Sequence, residues 1–273
     1  MFKLSQLLSS VGNWAEEKRL LTYALRLQRE RGNDRQVALI LRGLSSSSWV
    51  MGLTKEGIQQ AEEASKIFEQ FGDTVGQAQC LERLTRLLSR DRQFDAAEEA
   101  ASRAINLFSV KDKPFRLCES HRILGEVYQD KGETEKATHC FEIAFGIASP
   151  FSWHDQLFAV LYSLAVLFHN EGRFDDARVH IEHAKPHAVN NAYHLGRAME
   201  MQARIWYKQD RLEEARSEAL RAGDIYEKLG AAQDIESCRK LPQVIEKELD
   251  IPIASGQSGF NCELIDGTIF CVY

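Results

Sequence analysis

The chain has 273 residues, a formal charge of −6, 27% charged residues and 44% hydrophobic ones, the balance of a folded, water-soluble protein. Five prolines in that length exclude a linker-rich or disordered chain. The acidic balance argues against nucleic acid, whose phosphates need clustered Lys and Arg, and no stretch approaches the roughly 18 apolar residues of a membrane span.

In chain order, the N-terminal "MFKLSQLLSSVGNW" has no apolar core of signal-peptide type. It reads as a shortened first helix. An ideal one would begin before Met1, which favours the end of a longer protein over a shortened cap. From there one turn recurs. The segments "GNWAEEKRLLTYAL", "GLTKEGIQQAEEAS", "RQFDAAEEAASRAI", "GETEKATHCFEIAF", "GRFDDARVHIEHAK" and "DRLEEARSEALRAG" align on Trp14, Thr54, Phe94, Thr134, Phe174 and Leu212, forty residues apart except for a last step of 38. Ten residues after each comes an alanine: Ala24, Ala64, Ala104, Ala144, Ala184 and Ala222.

Each unit predicts two helices around a Gly-polar turn. The second helix carries an apolar stripe three and four apart, as in Ala137, Phe141, Ala144, Phe145 and Ala148. Short side chains let antiparallel helices approach. Ser45, Thr85, Gly125, Ala165 and Ala203 hold that position on the first helices, and Ala97, Ala137, Ala177 and Ala215 on the second. Tyr128, Phe168 and Trp206, three residues beyond the small site, fill the space between helices. Units one and two depart from the pattern, with Glu17 and Gly57 at the alanine position and a serine run at Ser45–Ser48.

The expected units span 1–37, 38–77, 78–117, 118–157, 158–195 and 196–230. A capping helix follows over 231–250, starting at Ile235 under an Asp234 cap and bent or broken by Pro242. A linker covers 251–259, and 260–273 reads as a β-hairpin. Asp266-Gly267 is a favoured type I′ turn. It sets Ile265 against Thr268, Leu264 against Ile269, and Cys262 against Cys271. Cys262 and Cys271 thereby become a candidate disulfide against a default of reduced thiols.

A small residue, an aromatic, then G-x-[aromatic]-x-x-A and an alanine of constant phase resembles the tetratricopeptide repeat. Unit four is the clearest match, with Leu124-Gly125, Tyr128, Gly132, Ala137, Phe141 and Ala144. The usual unit has 34 residues. The forty-residue variety is similar to the repeats of kinesin light chains and of the sensor arms of some signalling ATPases. The resemblance implies an all-α right-handed superhelix of six helix-turn-helix repeats. Its first helices would line a concave face that holds a partner segment.

Mapping that face by phase selects Arg42, Ser46 and Trp49; Gln79, Glu82, Arg86 and Ser89; Glu119, Arg122, Glu126 and Gln129. It continues with Tyr162, Val166, His169 and Asn170, then Arg197, Glu200, Arg204 and Tyr207. Trp49, Tyr162 and Tyr207 are the expected anchors, since aromatics and Arg dominate binding hot spots. The plainer reading has these side chains solvating the face and pairing with one another. Chaperone-binding relatives carry a Lys/Asn/Arg clamp for a terminal carboxylate. The matching positions here are Phe2, Gln6, Arg42 and Ser46, which argues against that ligand.

His180, His183 and His187 share one helical face, where imidazoles can bind zinc. A solvated face is the preferred reading, because Ile181 and Ala184 hold the packing stripe and Pro186 interrupts the helix. No nucleophile elbow, phosphate loop or HExxH is present. The expectation is a non-catalytic scaffold without cofactor that binds a protein or peptide. The alternative is a regulatory arm of a signalling ATPase, its tail autoinhibitory or oligomerising. The scattered cysteines lack CxxC pairs and point to the cytoplasm. No nucleic-acid or membrane partner is expected, and the tail offers a route to self-association.

Overall fold

The computed structural model describes residues 14–110, 113–230, 232–248, 262–265 and 268–271. Among these are twelve α-helices: α1 (Trp14–Glu30), α2 (Asp34–Val50), α3 (Thr54–Gln70), α4 (Thr74–Arg90), α5 (Phe94–Val110), α6 (Pro114–Lys131), α7 (Thr134–Ala148), α8 (His154–Asn170), α9 (Phe174–Ala188), α10 (Ala192–Lys208), α11 (Leu212–Leu229) and α12 (Ala232–Glu248). A 3₁₀ turn, Ser149–Phe151, extends α7. The fold is an all-α solenoid in which each helix packs on the next. Even-numbered helices α2 to α10 also touch one another in succession, which puts them on the inside of the curve.

The forty-residue period is produced inside the helices. Seventeen-residue helices such as α2, α3 and α4 are joined by turns of three residues. The turn after α2 places Gly52 at φ 72°, in the left-handed region that glycine adopts without steric cost. The matching turns after α4 and α10 hold Arg92 and Asp210 at φ 59° and 60°, a strained choice for a residue with a Cβ.

Packing follows the small-residue pattern. Ala24, Ala64, Ala104, Ala144, Ala184 and Ala222 are all buried, as are Ser45, Thr85, Ala165, Ala203, Ala97, Ala137, Ala177 and Ala215. At Gly125 a Cβ would stand 2.5 Å from the Phe141 ring, so only glycine lets α6 approach α7 here. The departures in units one and two compensate each other. Glu17 is buried at the alanine position and accepts a hydrogen bond from Ser47 Oγ at 3.0 Å. Ser45 Oγ donates to the Gly57 carbonyl at 3.0 Å, and Ser48 Oγ to Gln60 at 2.9 Å. The serine run therefore serves as a buried hydrogen-bonding seam.

Three sequence expectations need correction. First helices begin at residues 34, 74, 114, 154 and 192, four residues ahead of the expected unit starts at 38, 78, 118, 158 and 196. The missed signal is the N-cap: Asn33, Asp73 and Asn191 accept from the amides of Gln36, Gly76 and His194. Pro186 does not interrupt α9, nor does Pro242 break α12. Each proline removes one backbone donor, and Pro186 lies in the last turn of its helix. The last helix starts at Ala232 rather than Ile235. It covers α11 by setting Cys238, Leu241 and Ile245 against Ala215, Ala219 and Tyr226.

β1 (Cys262–Ile265) and β2 (Thr268–Cys271) pair antiparallel, with Cys262 opposite Cys271. They are no part of the solenoid, and the fold class rests on the helices alone. The Asp266-Gly267 turn, the side chains of these strands, the proposed disulfide and residues 1–13 lie outside the described residues.

Candidate partner-binding groove

The even-numbered helices carry the face on which the sequence places the site. Between α2, α4 and α6 it deepens into a cavity of about 610 Å³, lined by charged groups from three units and by Glu17 and Leu21 of α1. Of the expected residues, Arg42, Ser46, Gln79, Glu82, Arg86 and Glu119 line it. Arg83 and Arg116 line it too and were missed. Arg83 follows Gln79 by four residues and so shares its face, a signal the phase count could have used.

Most of these charges are paired. Arg42 donates to Gln79 Oε1. Arg86 pairs with Glu119 at 2.6 Å, Glu119 with Arg122 at 2.7 Å, and Arg122 with Glu126. Burial alone would raise the Glu119 pKa, but Arg122 and Arg86 outweigh it and hold it below the usual carboxylate range. Burial likewise opposes the charge on Arg122, and Glu126 and Glu119 more than offset it, so its pKa is raised. Glu82 differs. It is 8% exposed and accepts from Ser120 Oγ at 2.8 Å, with Arg116 at 3.8 Å. Burial dominates and pushes its pKa up to about 7.

Trp49 is placed differently from the expectation. It lies outside the cavity, and Arg90 covers it: the guanidinium sits 3.5 Å above the ring and donates to the Trp49 carbonyl at 2.6 Å. Ser89 donates to Asp130 at 2.7 Å.

Further along, the face becomes aromatic. Arg197 lies 4.0 Å over the Tyr162 ring, and Phe158 stacks beside that ring. Arg204 pairs with Glu200 at 2.6 Å, and Glu200 also accepts from the Tyr226 hydroxyl at 3.3 Å. His169 meets the Phe174 ring edge-on, and burial lowers its pKa. Tyr207 is half-buried beside Trp206.

The three histidines of α9 do not converge. His180 stacks on Phe168, His183 is exposed, and His187 Nδ1 lies 3.0 Å from His154 Nδ1. No group of three metal-ligating side chains occurs among the described residues. Cys80, Cys118, Cys140 and Cys238 are free and buried, and burial raises their pKa values to about 11 or 12, which suits packing rather than reactivity. Among the described residues no helix is long and apolar enough to cross a membrane.

No curated protein matches the chain. Among solved structures, a Rap protein complexed with Competence and Sporulation Factor superposes with a TM-score of 0.65. The two share 13% identity over 90% of this chain and 73% of that one. The apo form of RapI gives 0.64, with 13% identity over 91% and 97%. A putative kinesin light chain of Podosopora anserina, with nearly identical TPR-like repeats, gives 0.57, with 17% identity over 69% and 94%. At these identities the likeness is one of fold. A family model described as tetratricopeptide repeat matches residues 159–179, which run from α8 through the turn into α9. With the forty-residue period and the shared solenoid, this matched unit makes the chain similar in fold to tetratricopeptide-repeat proteins.

Proposed function

We propose that the concave face binds a peptide or a helical segment of a partner protein, and that the chain acts as a non-catalytic scaffold. The observation that carries this reading is the cavity between α2, α4 and α6, set in a continuous inner surface of Arg, Glu and Tyr side chains. Charges of both signs along such a face fix register and orientation. The Rap protein noted above was solved with Competence and Sporulation Factor bound, which supports a ligand-binding use of this fold.

The test plugs the cavity. Ser46 lines it and is half-buried. Ser46→Trp is expected to abolish capture of peptides that the parent chain selects from a displayed random library, with an unchanged helical spectrum. Glu62→Trp, on the exposed face of α3, should leave capture intact. Peptides that bind the Ser46→Trp chain as tightly as the parent would place the site elsewhere.

A further inference from the structure

Helices α8 and α9 are joined by a short turn and run antiparallel, so the first residue of α8 meets the last turn of α9. His154 opens α8, and His187 lies in that last turn. Their Nδ1 atoms stand 3.0 Å apart, with ring centroids at 5.2 Å and planes tilted by 38°. His154 is exposed and His187 half-buried, so solvent reaches the pair.

Local structure holds both rings in place. Trp153, just before His154, stacks on Phe151 at 4.4 Å and meets Phe115 of α6 edge-on at 5.2 Å. Pro186, just before His187, has a fixed φ. Asp155 accepts from Asn191 at 3.3 Å and lies 3.4 Å from His194 Nδ1, which braces the first turn of α8 against the start of α10. Two neutral imidazoles that face each other through Nδ1 share at most one hydrogen, and an Nδ1 lone pair is a metal ligand. Burial and the charge of His154 lower the His187 pKa, which keeps that ring neutral and its lone pair free.

The separation selects a coordination geometry. Nitrogens 3.0 Å apart, each about 2.1 Å from one metal ion, subtend about 90° at it. That is the cis angle of a tetragonal or octahedral ion. A tetrahedral ion needs about 109°, with the nitrogens about 3.4 Å apart. Tetragonal nitrogen sites suit Cu²⁺ and Ni²⁺, whereas tetrahedral ones suit Zn²⁺.

We propose that His154 and His187 form a two-histidine site for a divalent copper or nickel ion, which clips the open end of the α8–α9 hairpin. No third ligating side chain converges on the pair among the described residues, so water fills the remaining positions. On binding, the hydrogen between the rings moves to the outer Nε2 of its own ring. Both Nδ1 lone pairs then go to the metal, and no proton is released. The site differs from the His180, His183 and His187 face read from the sequence. It takes one ligand from each of two helices, 33 residues apart, and it does not depend on the peptide-binding reading.

Two measurements on the full chain test this. In the first, Ni²⁺ and Zn²⁺ are titrated by calorimetry into the parent, His154→Gln, His187→Gln and His183→Gln. The parent should bind one Ni²⁺, and more tightly than Zn²⁺. Either of the first two substitutions should weaken Ni²⁺ by at least about tenfold, because a chelate that loses one arm forfeits the effective concentration of the other. His183 is exposed and one turn before His187, so His183→Gln controls for chelation by α9 alone and should stay within about twofold of the parent. Loss at His183 and His187 but not at His154 would move the site onto α9 and overturn the pair. Ni²⁺ held equally by all four chains, or by none below about millimolar concentration, would overturn the site. Zn²⁺ bound as tightly as Ni²⁺ would overturn the tetragonal geometry.

In the second, one equivalent of Cu²⁺ is added to the unmutated chain at neutral pH, so this arm does not depend on a variant folding. Its electron paramagnetic resonance spectrum should be tetragonal, with hyperfine coupling to two imidazole nitrogens. The ring protons of His154 and His187 should broaden before those of the other histidines. Coupling to a single nitrogen, or broadening that starts at other histidines, would overturn the proposal.

Discussion

The two halves of the concave face handle charge in opposite ways. In the half built by α2, α4 and α6, arginines and glutamates form a chain of pairs across helices and leave Arg83 over. In the half built by α8 and α10, the cations lie on their own aromatic or acidic neighbours, Arg197 over Tyr162 and Arg204 on Glu200. The first half keeps an open cavity in which Arg83 makes no ion pair among the described residues, whereas in the second half Arg197 and Arg204 rest on Tyr162 and Glu200. Groove location alone therefore does not make a residue available. Trp49 was an expected anchor and lies under Arg90, while Arg83 was not expected and, among the described residues, makes no hydrogen bond or ion pair beyond the longer-range pull of Glu82 and Glu119.

The largest test of that contrast is Arg122→Ala, which removes the cation between Glu119 and Glu126 in a partly buried site and leaves Arg86 alone to hold Glu119. It should lower the unfolding free energy by about 3 kcal/mol, read by urea denaturation. A loss below about 1 kcal/mol would mean the pairing chain is ornamental. Glu82→Gln probes the same half through pH. The Glu82 carboxyl titrates near 7 in the folded chain, above the ordinary 4.5. The native fold thus holds its proton more tightly than the unfolded chain. The stability this gives is complete below about pH 4.5 and is lost as pH rises through 7. The groups facing it are Ser120, Arg116, Arg86 and Glu119. The glutamine variant keeps the contact with Ser120 and carries no charge. It should match the parent near pH 4.5 and exceed it by about 1–2 kcal/mol at pH 8, and a constant difference across that range would contradict the assignment.

In the aromatic half, Arg197→Ala should cost about 1 kcal/mol through the lost cation–π contact, read by urea denaturation at pH 8. The smallest effect is expected at Arg83. Among the described residues Arg83→Gln removes no hydrogen bond or ion pair, so its unfolding free energy should stay within about 0.5 kcal/mol of the parent. A large loss there would show that Arg83 is structural and would erase the difference between the halves.

Much of this molecule was legible in the sequence because its repeat is local. The phase of Ala24, Ala64, Ala104, Ala144, Ala184 and Ala222 reports helix-on-helix contact between neighbours only tens of residues apart. A helical array has few other ways to bury them. The resemblance to tetratricopeptide repeats then implied the inner face, and six residues named for it line the cavity. Unit edges were less legible, since they depend on single caps such as Asn33 and Asp73 rather than on a pattern summed over a helix.

What the sequence determined by itself was the period, the all-α class, and which positions must stay small. Those follow from backbone geometry and from side-chain size repeated in register. Only the tertiary structure decided which charges meet. Arg86 finds Glu119 33 residues away, Ser120 finds Glu82 38 residues away, and Arg90 finds Trp49 at 41. Long side chains choose among several partners within reach, and the choice depends on distances of an ångström or two between neighbouring helices. Periodicity does not encode those distances, and they decide which guanidiniums of the groove find a carboxylate among the described residues.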